Sequence, residues 1–219
     1  MRSAVANGWR VWKHAGFSYA LTWLLDRVLY RFGFQIFIVS IHDREWLLGL
    51  PPPRVPPYEF RWATPEEVLA AAADPEPEWM ELPRVSAALA KGERCTAAFL
   101  EGRLVSCTWS ATTGPLCRGH AINVPPSCVY GHEAKTRAAH RGKGLYAALV
   151  LTSARAAGEA GKEMVGYVYA GNTRAVSGSA RMGKKKTGFV VCREGPGGWS
   201  WVSPVCRRAG IWVTRTDPG

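Results

Sequence analysis

Arg141-Gly142-Lys143-Gly144-Leu145-Tyr146 is the stretch on which the reading of this chain turns. It stands between Cys128 to Lys135, which has strand character, and a segment in which Leu145, Ala148, Leu149 and Ala156 fall on one face at helical spacing up to Gly161. Strand, glycine-rich turn and helix form an order with a physical use. Gly142 and Gly144 let backbone amides approach an oxyanion closely, and the following helix presents its unpaired N–H groups and positive dipole end to the same point. Arg141 and Lys143 add charge. The stretch therefore predicts a phosphate cradle, against the plainer reading of a basic loop with no ligand. Two familiar nucleotide loops are excluded by spacing. A Walker loop needs Ser or Thr after the lysine, where Gly144 stands, and a dinucleotide fingerprint needs a glycine where Ala147 stands.

Upstream, Glu59 to Trp62 alternates like a half-buried strand, and Thr64-Pro65-Glu66-Glu67 opens a helix through Ala73, with Thr64 as N-cap and Glu67 closing a capping box. A second helix covers Glu81 to Lys91 and stops at Gly92. Strands Cys95 to Leu100 and Leu104 to Thr112 follow, joined at Glu101-Gly102, a dipeptide suited to a hairpin turn. Pro125-Pro126 breaks the chain before the strand that leads into the turn. Beyond the helix come a strand at Met164 to Tyr169, a helix from Asn172 to about Met182, and a closing β pair, Lys186 to Arg193 and Trp199 to Val205. The sequence holds no internal repeat.

Residues 1–50 read as an N-terminal extension: a helix ending at Gly33 and a strand from Phe34 to Ile41. The segment Pro51 to Pro57 is a stiff connector, and residues 58–219 are the main domain. Basic Arg2, Arg10 and Lys13 precede an apolar run from Ala15 to Leu25, but that run is shorter than the roughly 20 residues of a membrane span, and Asp26 and Arg27 follow in place of a cleavage site. The segment is expected neither to span a bilayer nor to be clipped off. Its helix either packs on its own domain or lies on a membrane through residues 9–32, with Trp9, Trp12 and Trp23 at the interface.

The 219 residues are 47% hydrophobic, enough for a full core, and 28 Lys and Arg against 17 Asp and Glu leave a net charge of +11. That surplus calls for an anionic partner: nucleic acid, an acidic membrane face or a polyphosphate ligand. No helix-turn-helix, zinc finger or RNA-binding signature organises the basic residues, so no specific nucleic-acid partner is expected. The run Lys184-Lys185-Lys186 reads as a solvated edge. Cys95, Cys107, Cys117, Cys128, Cys192 and Cys206 show no Cys-x-x-Cys pair and no His at zinc spacing. They predict reduced thiols, no metal, and a cytoplasmic protein.

At the turn the chain resembles the GNAT superfamily of N-acetyltransferases, whose pyrophosphate motif runs Gln or Arg, any, any, Gly, any, Gly or Ala. Arg141 to Leu145 match it in place, and Tyr146 departs from the small residue expected last. The resemblance covers roughly Tyr58 to Val205 in element order, and Asn172 with Ala175 looks like the family's second coenzyme-side element. It implies a mixed α/β fold, a central mixed β-sheet flanked by helices. It also implies acetyl-CoA, or a longer acyl-CoA, in a splayed gap between the strands at Cys128 to Lys135 and Met164 to Tyr169. Backbone groups from Ala134 to Thr136 would pair with the pantetheine arm, while Arg141, Gly142, Lys143, Gly144, Leu145, Tyr146 and Asn172 hold the coenzyme.

The implied reaction is acyl transfer by direct attack of a primary amine on the thioester, with a small-molecule or peptide amine as acceptor. The amine arrives protonated and needs a base. Strand alternation points Tyr130 and His132 to one face and Glu133 to the other. His132 titrates nearest working pH, and Glu133 would need burial to do so. The family's proton-donating tyrosine, seven residues past Asn172, is replaced here by Ser179, so either Tyr169, ranked first, or Tyr146 serves as acid, or the thiolate leaves without direct help. The reading from another class is a non-catalytic module that senses acyl-CoA or binds anionic membranes.

Overall fold

In a computed structural model, the described residues are 13, 16–74, 76, 79–114, 116–117, 119–173, 175–176, 186–193 and 198–216. Helix α1 (Phe17–Leu29) continues through a 3-10 turn at Tyr30–Phe32 to Gly33, and strand β1 (Phe34–His42) follows. After α2 (Arg44–Leu48), residues 51–57 hold no helix or strand, since proline fixes φ and lacks an N–H to donate. Then come β2 (Glu59–Trp62), α3 (Pro65–Ala73), α4 (Leu82–Ala90), β3 (Arg94–Leu100), β4 (Arg103–Ala111), β5 (Leu116–Cys117), β6 (His120–Asn123) and β7 (Cys128–Thr136). A 3-10 turn at Ala138–His140 leads to α5 (Leu145–Glu159), followed by β8 (Glu163–Tyr169), β9 (Lys186–Arg193), β10 (Ser200–Val202), α6 (Pro204–Arg208) and β11 (Trp212–Arg215). The fold is mixed α/β, with mostly antiparallel strands flanked by helices.

The chain divides into two units, Asp43–Thr112 with Pro126–Met164, and the remainder. In the first, β2, β3, β4 and β7 pair antiparallel in that order. The β3–β4 hairpin turns on Glu101 (φ 51) and Gly102 (φ 76), the two left-handed positions of a tight hairpin. Both faces of this sheet are covered. Val68 of α3 and Val85 and Ala88 of α4 pack on Ala97, Phe99, Cys107 and Trp109, while Leu145 and Leu149 of α5 pack on Ala98 and Val105. Cover on both sides buries β3 and β4 along nearly their whole length, with the small polar residues Thr96, Ser106, Thr108 and Ser110 buried among the apolar ones.

In the second unit β1 pairs antiparallel with β9, from Phe34↔Arg193 to Ile41↔Lys186. β10 lies outside β9 and β8 on the other side of β1. Helix α1 sets Tyr19, Ala20 and Leu29 against Ile36, Ile38 and Ala170, and the buried Asp26 accepts a hydrogen bond from the Ile36 N–H at 3.1 Å.

Two expectations change. The last expected strand, Trp199 to Val205, ends at Val202 because Pro204 opens α6, and Ser203 Oγ is taken up accepting from the Phe189 N–H at 3.0 Å. The expected loop Thr113 to Pro126 contains β5 and β6, which join β11 in a small antiparallel sheet. The helix expected from Asn172 to Met182 is described only at residues 173 and 175–176, and Lys184 and Lys185, like Trp9 and Trp12, lie outside the described residues. Cys95, Cys107, Cys128, Cys192 and Cys206 are buried free thiols. The Cys95 thiol is pushed up by its hydrogen bond with Cys107 and by burial.

Candidate active site

The strand that enters the glycine-rich turn is interrupted before it gets there. Cys107 pairs with Lys135 and Trp109 with His132, so Thr108 faces two residues, Glu133 and Ala134. This is a β-bulge, and Glu133 takes the left-handed φ of 46° that it requires. The bulge leaves an extra residue outside the ladder and re-aims a side chain. Thr108 Oγ1 donates to the His132 carbonyl at 3.1 Å, which fixes the strand on the N-terminal side of the bulge.

Around the bulge four charged or titratable side chains meet. Arg84 of α4 donates from Nε to both carboxylate oxygens of Glu133, each at 3.1 Å. Its other arm lies 3.6 Å from Glu93, and Glu93 Oε2 lies 3.1 Å from His132 Nε2. The His132 and Glu93 side chains are only 9% and 7% exposed, and neither of these facing atoms has another hydrogen-bond partner, so each depends on the other off-axis. The Tyr130 ring stacks on His132 with centroids 5.1 Å apart at 15°. Burial drives the His132 pKa below its ordinary value, against the opposing pull of Glu93 and Glu133. The imidazole is therefore held neutral and able to take a proton at neutral pH. Burial likewise pushes the Tyr130 phenol up.

Alternation placed Glu133 on the face opposite His132. The bulge overturns that: Arg84 holds the Glu133 carboxylate and the Glu93 carboxylate of His132 in one cluster. Arg84 and Glu93 were missed by sequence reasoning, because neither belongs to a local motif. The sequence shows only that Glu93 follows the helix stop at Gly92; its burial, costly for an unpaired carboxylate, is visible only in the fold.

The turn itself is anchored from below. Arg137 is buried over Trp79, 4.6 Å from the ring centre, and donates to Leu104 O and to Glu76 Oε2 at 3.1 and 2.8 Å. Its second terminal nitrogen lies 3.0 Å from Asp74. Glu76 also accepts from the Ala138 N–H at 2.9 Å, and that bond, with Arg137, holds its carboxyl below the usual range. His140 Nδ1 meets Tyr58 Oη at 3.0 Å, and burial, then Lys143, lower its pKa. Arg141 Nε donates back to Thr136 O at 3.1 Å, tying the turn to the end of β7.

Above this base the turn is open. Gly142 (φ 79) and Gly144 (φ 80) are left-handed, and a side-chain carbon at either would meet no atom within 4 Å. Glycine is required by the backbone, not by crowding, and the protein does not fill the space in front of it. Gly142, Lys143 and Gly144 are exposed, and among the described residues none of their N–H groups is hydrogen-bonded. Helix α5 starts at Gly144 with no side-chain cap and no acidic residue in its first turn. Leu145 is buried beneath, and Tyr146 is 39% exposed with its phenol pushed up by desolvation.

The remaining expected residues lie elsewhere in the fold. Thr136 Oγ1 is 2.7 Å from Ser106 Oγ, and Ala134 is exposed beside the bulge. Tyr169, in the second unit, is packed against the rings of Tyr30 and Phe37, with centroids 6.5 and 6.1 Å away. Asn172 Oδ1 accepts from the Ala175 N–H at 3.2 Å, so its side chain caps the helical turn that follows.

No family model matches the sequence, and no curated protein does. Solved structures resemble it in fold. A Drosophila protein does so with a TM-score of 0.50 at 14% identity, over 83% of this chain and 57% of that one. A protein described as a GNAT-family acetyltransferase from Novosphingobium aromaticivorans gives 0.47 at 16%, over 74% of this chain and 66% of that one. A GCN5-related N-acetyltransferase from Kribbella flavida gives 0.44 at 16%, over 78% and 64%. The chain thus spans 57–66% of the length of these structures. At these identities the likeness is one of fold alone.

Proposed function

We propose that the chain transfers an acetyl or longer acyl group from coenzyme A to a primary amine. The observation that carries this reading is the turn at Gly142 to Gly144, whose N–H groups have no acceptor among the described residues and whose two glycines have no atom within 4 Å of where a side-chain carbon would stand. A diphosphate supplies the oxygens those groups lack, with the dipole of α5 and the charges of Arg141 and Lys143 behind it. The backbone from Ala134 to Thr136, which begins at the bulge where Glu133 and Ala134 share one partner, receives the pantetheine arm. Holding the thioester there turns a bimolecular attack into a local one.

The acceptor's chemistry follows from the cluster. Two carboxylates, Glu93 and Glu133, face one guanidinium, Arg84, beside a neutral His132, so the cluster carries one net negative charge in an otherwise basic protein. That favours an ammonium. His132 removes its proton, the amine attacks the carbonyl carbon, the C–N bond forms as the C–S bond breaks, and the coenzyme leaves as a thiolate that takes up the proton the new amide nitrogen gives up. Isothermal titration with acetyl-CoA, followed by thiol release with pooled primary amines, tests the reading. Micromolar binding with amine-dependent release is the expected outcome. Binding without release would leave an acyl-CoA sensor, and no binding at millimolar coenzyme would remove the proposal.

A further inference from the structure

Helix α1 is amphipathic the wrong way round. Phe17, Leu21, Leu24, Leu25 and Val28 recur at i, i+4, i+7, i+8 and i+11, the stripe that normally faces a core. Here the stripe points outward: Phe17 is 70% exposed, Leu24 54% and Val28 51%, and Phe32 just beyond it 63%. The opposite side does the packing, through Trp23, Asp26, Tyr19 and Ala20. Such a face is costly in water and marks a contact.

The charge around the stripe selects the partner. Arg27 and Arg31 are exposed along its flank, and the first turn holds no acidic residue. The one carboxylate between Phe17 and Phe32, Asp26, is fully buried on the Ile36 N–H. The outward side therefore combines apolar side chains with positive charge and no negative charge, on a chain whose net charge is +11. No helix among the described residues is long and apolar enough to cross a bilayer, and this one has 13 residues.

We infer that α1 lies in the plane of an anionic membrane surface, with the Phe17–Val28 stripe in the acyl boundary and Arg27 and Arg31 on lipid phosphates. This does not depend on acyl transfer. The inside of the helix is anchored to β1, so the exposed residues can be changed without disturbing packing.

Flotation of the full chain with phosphatidylcholine vesicles, and with vesicles carrying about one third phosphatidylserine, tests the inference, alongside light scattering for oligomeric state. The full chain should float with the anionic vesicles only. Leu24→Glu/Val28→Glu should reduce the bound fraction at least about tenfold with an unchanged melting temperature, the depth penalty for buried charge being large. Arg27→Gln/Arg31→Gln should weaken binding several-fold and flatten its salt dependence. No flotation of the full chain overturns the inference. So does equal flotation of Leu24→Glu/Val28→Glu, and so does a wild-type dimer that this pair of changes dissociates, since the face would then belong to a second copy.

Discussion

Two helices of the same unit begin in opposite ways. At the start of α3, Thr64 Oγ1 accepts from the Glu67 N–H at 3.3 Å and Glu67 Oε2 accepts from the Thr64 N–H at 2.8 Å, and Pro65 removes another donor that would need a partner. The helix satisfies itself. At the start of α5, Gly144 offers no side chain, the first turn has no carboxylate, and the N–H groups before it have no partner among the described residues. Both termini carry the same partial positive charge. One uses it inside the protein, and the other, under the proposed acyl transfer, keeps it for the coenzyme. A glycine at the N-cap costs only roughly a few tenths of a kcal/mol relative to a capping side chain, and under the same proposal α5 bears that cost for the sake of binding the coenzyme.

The sharpest test removes chemistry while leaving the open helix start alone. His132→Gln keeps a neutral donor for the buried Glu93 and removes the base. Amine-dependent thiol release should fall by about 10²–10⁴-fold, with acetyl-CoA affinity by titration within about twofold of wild type. If activity survives, the base lies elsewhere. In wild type the acidic limb of the rate profile should fall below pH 6.5, because the His132 pKa is lowered and the base form persists to more acid conditions. A limb above 6.5 would mean that Glu93 and Glu133 outweigh burial.

The next test acts on the turn. Gly142→Ala/Gly144→Ala places side chains at φ values near 80°, costing about 1–2 kcal/mol each in backbone strain. Acetyl-CoA affinity should drop at least about tenfold, as the amide groups turn away and methyls enter the path of the diphosphate. Unchanged affinity would show that the amides hold nothing.

How much of this the sequence disclosed follows from how local each feature is. The capping box at Thr64–Glu67, the hairpin at Glu101-Gly102 and the turn at Arg141–Tyr146 are each decided by residues within one turn of chain, and each formed where the letters placed it. The cluster at the bulge could not be read that way. Arg84, Glu93 and Glu133 come from a helix, a loop and a strand, and the extra residue at Glu133 exists only relative to its partner strand. Alternation therefore assigned Glu133 to the wrong face. β6 was hidden for the same reason, since its partner β11 enters from near the other end of the chain. The proline-rich stretch reads as a boundary by composition, while β1, ahead of it, is paired along its length with β9.

The control for the comparison is α3. Thr64→Ala removes one capping acceptor and should lower unfolding free energy by about 1 kcal/mol in urea, with acetyl-CoA affinity unchanged. An effect on coenzyme binding would mean that the two helix starts are coupled and do not serve separate ends.

The smallest effect expected is the pH dependence of that cap. Arg61, donating to both Glu67 oxygens at 2.9 and 2.7 Å, and then the Thr64 N–H, depress the Glu67 carboxyl from 4.5 to about 2. A carboxyl lowered in the folded state stabilises fully above its unfolded value and loses that contribution as pH falls through the folded one. The Glu67 contribution should therefore be constant above about pH 4.5 and fade between there and about pH 2. Glu67→Gln should shift the melting temperature downward at neutral pH and flatten its slope in the acid range. Its partial exposure keeps the size modest. The Gly144 end of α5 has no carboxylate to titrate, so the acid slope that remains in Glu67→Gln should be the same whether or not the glycines of the turn are also changed; a difference would reveal an internal anion at α5 and close the open site on which acyl-CoA binding rests.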